Sequence, residues 1–295
     1  MPTPGLSNIE PLLDAVRAHA PLVVLTGAGL SAASGIPTYR NDRGEWLRSD
    51  PIQHQGFVSR PEQRQRYWAR SLAGWQPVQR ATPNAAHRAL ADLEALGFVE
   101  LLVTQNVDRL HQRAGSHRVV DLHGRLDRVV CRGCGANIDR SRFQRELLER
   151  NPGVAGTAAA PRPDGDADVP DAQVAGFDVP DCRTCGGMLM PDVVFFGGTV
   201  PRERVERVQS AIDRAGALLV VGSSLMVYSG FRFCRQVVEA RKPLLIVNRG
   251  DTRADDLATL KLPADGAEVL CALRNRLRAA PPVRPKRTGS AEAAT

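Results

Sequence analysis

Four apolar runs constrain this chain most: Leu22 to Thr26 (LVVLT), Val99 to Thr104, Leu218 to Val221 and Leu244 to Val247. Each is bounded by turn residues and separated from the next by stretches with the amphipathic spacing of helices. Strands that are apolar at nearly every position are covered on both faces, which is the condition of a parallel sheet with helices above and below it. The sequence therefore predicts an α/β protein with a parallel sheet covered by helices on both faces. Ligands of such sheets bind beyond the carboxyl ends of the strands, so the polar sequences that end these runs, GAGLS, QNVD, GSSL and NRG, form the candidate site.

At the first of these, Gly27, Ala28 and Gly29 would let a strand-to-helix turn present bare amides, and the positive helix end beyond would suit a phosphate or pyrophosphate. A merely tight turn asks for the same residues, and G-A-G-x-S is not the full G-x-G-x-x-G fingerprint. With 295 residues and 43% hydrophobic content, the chain can bury one large core or two. No apolar stretch approaches the roughly 20 residues needed to span a bilayer, and the first ten residues lack a secretory pattern; a cytoplasmic protein without membrane association is expected.

The formal charge of +7 raises the question of nucleic acid. Its source is arginine, since lysine occurs only at Lys242, Lys261 and Lys286. The arginines are scattered and interleaved with Glu, as in Pro201 to Arg214, which reads as a solvated surface.

Cys131/Cys134 and Cys182/Cys185 form two Cys-x-x-Cys pairs, in CRGCG and CRTCGG. Paired knuckles of this type make a four-thiolate zinc site with no open position, hence structural; a redox dithiol or separately buried thiols are the competing readings. The gap between the pairs far exceeds the ~15–20 residues of a compact ribbon. It is filled by a Pro-, Gly-, Ala- and Asp-rich stretch, 151–180, that reads as a partly ordered loop. Cys234 and Cys271 lie in apolar helical stretches and are expected to be core thiols.

In order along the chain, GAGLSAASGIPTYR (27–40), TQNVDRLHQRAG (104–115), LHG (122–124), the two cysteine pairs, PDVVFFGG (191–198), GSSL (222–225) and IVN (246–248) resemble the sirtuin family of NAD-dependent protein-lysine deacylases. The resemblance covers roughly residues 12–275. PIQHQGF, RQRYWAR, the PDGD insertion and VYSGFRF look most like its class II branch. It implies a Rossmann-like NAD-binding domain from residues 1–40, 84–127 and 191–278, a smaller lobe made of a helical module (41–83) and a zinc module (128–190), and a disordered tail (279–295). NAD and an acylated lysine of a protein substrate would meet in the cleft between the lobes. The sequence carries no signal of oligomeric state.

Carried over residue by residue, the resemblance sets Gly27, Ala28 and Gly29 on the dinucleotide, Thr38, Tyr39 and Arg40 on a loop that closes over it, and Gln105 by a ribose. Asn106 and Asp108 would order the nicotinamide ribose and carboxamide. Gly222, Ser223 and Ser224 would face the phosphate and adenosine side, Asn248 and Arg249 the adenosine ribose, and Gly266 and Ala267 the adenine. In the mechanism the family implies, the acyl-amide oxygen attacks C1′ of the nicotinamide ribose and His123 serves as base for the ribose hydroxyls. The products are nicotinamide, O-acyl-ADP-ribose and free lysine. An imidazole near pKa 6.5 suits that base. A lone histidine is more often surface or core, and His19, His54, His87 and His117 are read so; His111 is read as structural, positioning the helix that follows it.

Thr38 stands where many family members carry Asp, and Gly198 where an acidic residue is usual; both leave the NAD chemistry plausible and bear on substrate preference. Tyr67 and Arg70, three apart, would share a helix face and resemble the pair with which some sirtuins grip an acidic acyl group. Alternatively, Tyr67 packs into the module and Arg70 is solvated. ADP-ribosyl transfer to protein is a second reading of the same NAD site. A zinc-ribbon nucleic-acid binder is a third, with only Arg128, Arg132 and Arg183 near the cysteines to support it.

Overall fold

The structure is a computed structural model that describes residues 9–41, 43, 45, 47, 51–154 and 161–279. The expected tail beyond residue 279 and part of the expected loop, 155–160, lie outside the described residues.

From the N-terminus the chain forms α1 (Glu10–His19), β1 (Leu22–Thr26), a single turn α2 (Ala28–Ser31), α3 (His54–Ser59), α4 (Pro61–Arg80), α5 (Ala85–Ala95), β2 (Val99–Thr104), α6 (Leu110–Arg113) and β3 (Val119–Asp121). Then follow β4 (Gly124–Cys131), β5 (Asn137–Asp139), α7 (Arg140–Arg150), β6 (Pro161–Arg162), β7 (Asp166–Ala167), α8 (Asp171–Val174) and β8 (Leu189–Val193). The last part is α9 (Arg202–Arg214), β9 (Ala217–Val221), α10 (Tyr228–Glu239), β10 (Leu244–Val247), β11 (Leu260–Leu262) and α11 (Gly266–Arg278).

Six strands form one parallel sheet in the order β11-β10-β9-β1-β2-β3. Alternate side chains of β1 enter two different cores: Leu22 and Val24 pack with α1, α5 and α11 on one face, Val23 and Leu25 with α9 and α10 on the other. All five residues of β1 are buried, as a centrally placed parallel strand requires. The register levels the carboxyl ends: Thr26 sits opposite both Thr104 and Val221, and Val221 opposite Val247. Residues 27–29, 105–108, 222–225 and 248–251 therefore leave the sheet side by side.

A second, antiparallel sheet of order β5-β4-β8 carries a separate core, in which Val129, Phe143, Leu147 and Leu189 pack with Phe57 and Trp68. The fully buried Arg140 joins α7 to α4, donating to Ser71 O and Gln144 Oε1 with its guanidinium over the rings of Trp68 and Trp75. Strand β4 begins beside His123 and ends at Cys131, so it links the smaller sheet directly to the end of β3.

The stretch expected to be a partly ordered loop is more structured where it is described: β6 and β7 form a two-stranded hairpin, followed by α8. Cys234 is fully buried, but Cys271 is only half-buried at the margin of the larger core, because its position on α11 lies beside the face that meets α5. Much of the arginine charge is paired within the chain, as in Arg109–Asp121, Arg128–Asp192 and Arg214–Glu100. No helix among the described residues is long and apolar enough to cross a membrane.

Candidate active site

One cleft of about 1290 Å³ runs across the carboxyl ends of β1, β2, β9 and β10 and is walled on its far side by β8 and the β6–β7 hairpin. Its lining includes Gly27, Ala28, Gly29, Thr38, Tyr39 and Arg40. Gln105, Asn106, His123, Gly222, Ser223 and Ser224 also face it, as do Asn248, Arg249, Gly266 and Ala267. Asp108 lies just behind, in a small adjoining recess shared with Ala28, Ser31 and Asn106.

The glycines after β1 also have a neighbour within the chain itself. A Cβ on Gly27 would stand 2.8 Å from Ser223 Cβ, and one on Gly29 would stand 2.9 Å from Gly222 O. The chain's own β9 loop presses on this turn, and the Gly29 amide already donates to Gly222 O at 3.0 Å. The helix expected behind the turn, α2, lasts one turn and passes into a 3-10 turn at Ala32–Ser34, so its dipole is small.

Asn106 is buried and donates through Nδ2 to Gly27 O (3.1 Å) and Ser31 Oγ (2.9 Å). Ser31 Oγ in turn donates to Asp108 Oδ2 at 2.7 Å, and the Leu110 amide donates to Asp108 Oδ1 at 2.9 Å. Burial raises the Asp108 carboxyl above the usual carboxylate range, against the pull of these two donors. Gln105 Nε2 donates to Ser223 Oγ at 2.7 Å and so ties the β2 loop to the β9 loop.

His123 is held by two contacts. Its Nδ1 lies 3.1 Å from Gln105 O, and its Nε2 lies 2.7 Å from Ser229 Oγ at the start of α10. A carbonyl oxygen only accepts, so Nδ1 carries the proton; Nε2 is then a bare acceptor that takes the Ser229 hydroxyl proton. Burial lowers its pKa to about 4, with Arg204 adding to the effect and the Gln105 carbonyl opposing it. The ring is therefore neutral at physiological pH, with its Nε2 lone pair engaged by the Ser229 hydroxyl.

His111 is buried within α6 itself rather than ahead of a following helix: its Nε2 meets Thr26 Oγ1 at 2.9 Å, fastening its own turn to the end of β1. The buried His87 packs against it, the ring centroids 4.7 Å apart, and completes the capping box of α5. Burial pulls both imidazoles below their ordinary pKa, His87 to about 4.

The sulfurs of Cys131, Cys134, Cys182 and Cys185 lie within 4.8 Å of one another. The glycine after each pair is left-handed (Gly135 φ 74°, Gly186 φ 68°), and the Gly133 amide points at Cys131 Sγ at 3.3 Å. At Cys185 the Gly187 amide favours the thiolate, yet the Cys134 and Cys131 sulfurs outweigh it and push the thiol up to about 12. Four sulfurs so close cannot all ionise unless a cation sits among them, and four thiolates fit one structural zinc ion with no open position.

Tyr67 and Arg70 both face the cleft, and Tyr67 packs into the module as one of the two sequence readings had it. Tyr67 is buried edge-on against Phe57 and Phe195. Arg70 is neither solvated nor free to grip a ligand: its Nε donates to Asp166 Oδ1 at 2.7 Å, and its Nη2 to the other oxygen of the same carboxylate. Ser31, Asp164 and Ser229 lie inside the GAGLS, PDGD and VYSGFRF stretches, but sequence reasoning assigns them no role, because each acts on a partner far away in the chain.

A sequence profile described as the Sir2 family matches residues 27–229. An NAD-dependent protein deacetylase of Xanthomonas campestris pv. campestris is 53% identical over 273 residues, covering 92% of this chain and 93% of that protein. The NAD-dependent protein deacetylase 2 of Bradyrhizobium diazoefficiens is 54% identical over 253 residues, 86% of this chain and 93% of its own length. Among solved structures, one described as Sir2-p53 peptide-NAD+ superposes with a TM-score of 0.74 at 32% identity, covering 91% of this chain and 98% of that one.

Proposed function

The chain belongs to the Sir2 family, and on that premise we propose that it is an NAD-dependent protein-lysine deacylase whose reaction takes place in the cleft beside His123. The observation that carries the reading is the state of His123: a neutral imidazole with Nδ1 anchored on Gln105 O and Nε2 left as the acceptor, held by the Ser229 hydroxyl, in the same cleft as Asn106. Bound NAD supplies a sugar carbon that gives up nicotinamide and takes the acyl oxygen. The protein's part is to hold the two substrates together, exclude water and move one proton through His123 Nε2. A sugar hydroxyl would take the place of Ser229 Oγ on that nitrogen.

In this reading the six-stranded sheet carries the dinucleotide, with Gly27–Gly29 and Gly222–Ser224 near its phosphates and Asn248 and Gly266 toward adenosine. Asn106 and Asp108 serve the nicotinamide end, and the peptide enters beside Phe196 and Gly198. The cleft fits such a ligand: it is large, open at the strand ends and lined by amide and hydroxyl groups. The test is nicotinamide release. An acetyl-lysine peptide should make it appear at one equivalent per lysine freed, with none released when peptide is omitted; deacetylation in the absence of NAD would contradict the reading.

Arg70 bears on the acyl group. An acidic acyl chain would have to share its guanidinium with Asp166, which already takes Nε and Nη2. Acetyl-lysine peptides are therefore expected to exceed succinyl- and glutaryl-lysine peptides by at least about 10-fold in kcat/KM. Comparable values across that panel would mean that Asp166 yields Arg70 to the substrate.

A further inference from the structure

The hairpin of β6 and β7 is the one wall of the cleft that the proposed chemistry leaves without a task. It is firmly seated. Arg70 on α4 holds Asp166 through two bonds and also donates to Ala167 O at 3.2 Å. Gly74, one turn further along α4, has no side chain where the hairpin crosses; a Cβ there would stand 2.3 Å from Gly165 O. Arg162 pairs with Asp168 across the hairpin, and Gln65 Nε2 donates to Phe177 O beyond it.

From this base the tip, Pro163–Gly165, reaches into the cleft. Asp164 is held in the left-handed region at φ 56°, and its carboxylate accepts the hydroxyl proton of Tyr39. Tyr39 belongs to the segment that leaves the α2 turn and crosses the cleft mouth; its ring also meets Phe196 edge-on at 5.7 Å. The same Asp164 lines the recess that holds Asn106 and Asp108. Two carboxylates of one short hairpin are thus joined to two different elements, Asp166 to the rigid helix α4 and Asp164 to the segment over the cleft.

We propose that the hairpin is a latch and that Asp164 is a positioning residue, fastening Tyr39 and the 36–41 segment over the dinucleotide half of the cleft; this rests on the reading of that cleft as an NAD site. Burial pushes the Asp164 carboxyl up to about 6, with Asp108 and Asp166 adding to that effect and the Tyr39 hydroxyl opposing it. The groups that face it are Tyr39 from the segment, Asp108 from the β2 loop and Asp166 from its own hairpin. Above that pH the carboxylate is a charged acceptor for Tyr39; below it the latch loses its charge-assisted bond.

The test is Asp164→Asn, since Asn also tolerates the left-handed backbone. Hydrogen exchange of the ligand-free protein should show faster exchange over residues 36–41 in the variant, with α4 and β4 unchanged. Calorimetry with ADP-ribose at pH 7.5 should show affinity lowered by about 10-fold, the scale of a lost hydrogen bond to a charged group. Wild-type affinity should weaken between pH 7.5 and 5.5 and that of the variant should not. Tyr39→Phe should reproduce the exchange result, and the two changes together should be no worse than either alone. Unchanged exchange over 36–41, or fully additive effects in the double variant, overturns the latch. If Asp164→Asn does not fold, Tyr39→Phe alone decides through exchange at the hairpin tip, where faster exchange supports the latch and unchanged exchange overturns it. Failure of the wild type to bind ADP-ribose would count against the NAD reading; the ligand-free exchange result would still judge the latch.

Discussion

His123→Ala is expected to lower turnover of an acetyl-lysine peptide by about 10²–10⁴-fold at saturating NAD, the range of a lost general base. Nε2 is the available lone pair only because Nδ1 is committed to Gln105 O, so the base is set by the fold before any substrate arrives. A pKa held near 4 in the free protein means the imidazole is in its accepting form throughout pH 6–8, and this group should impose an acid limb only as pH falls toward 4. The ring is half-buried at the cleft wall and fills no core, so the variant should keep its melting temperature and its ADP-ribose affinity within a few-fold. An unchanged rate of peptide-dependent nicotinamide release in this variant would remove His123 from the mechanism.

Removal of zinc, by chelation or by Cys131→Ser, is expected to unfold the β5-β4-β8 sheet and to abolish activity with it. Structural zinc binding is worth on the order of 10–16 kcal/mol, more than the net stability of a typical domain, and the smaller sheet has only its own modest core to set against that loss. The consequence for catalysis passes along β4. That strand runs from the cysteine cluster to Gly124, and the residue before it, His123, accepts through its carbonyl from the Val194 amide at 2.8 Å. Release of β4 and β8 therefore removes the backbone anchor of the base, leaving its ring held only by Gln105 and Ser229. Metal analysis should give one zinc per chain, and hydrogen exchange should show protection of β4 lost on chelation while β1 and β9 stay protected. A zinc-free protein that keeps β4 protected and remains active would contradict the structural role.

The sequence revealed the central strands because each is a run of apolar residues buried on both faces. It could not reveal β11, which has three residues and exists as a strand through the ladder that sets Leu245 opposite Leu260. The cysteine cluster was legible because metal ligation fixes spacing within each pair. The partners of His123 were not: Gln105 and Ser229 stand 18 and 106 positions away, and only the folded sheet brings them to one ring.

Gly27 and Gly29 show how one signal can have two causes. A ligand's phosphate and the chain's own Gly222–Ser223 loop both forbid a Cβ, so the bare turn was visible while its nearest neighbour was not. The hairpin at 161–167 escaped detection for the opposite reason. Its order comes from carboxylates paired with α4 and Tyr39 rather than from buried apolar residues, and such pairing leaves no periodicity to read.

The most direct test of the whole account is the mass of the second product. Incubated with NAD and an acetyl-lysine peptide, the enzyme should convert the two into nicotinamide, free lysine peptide and O-acetyl-ADP-ribose in equal amounts. Free acetate with intact NAD, or ADP-ribose attached to protein with the peptide still acetylated, would contradict it.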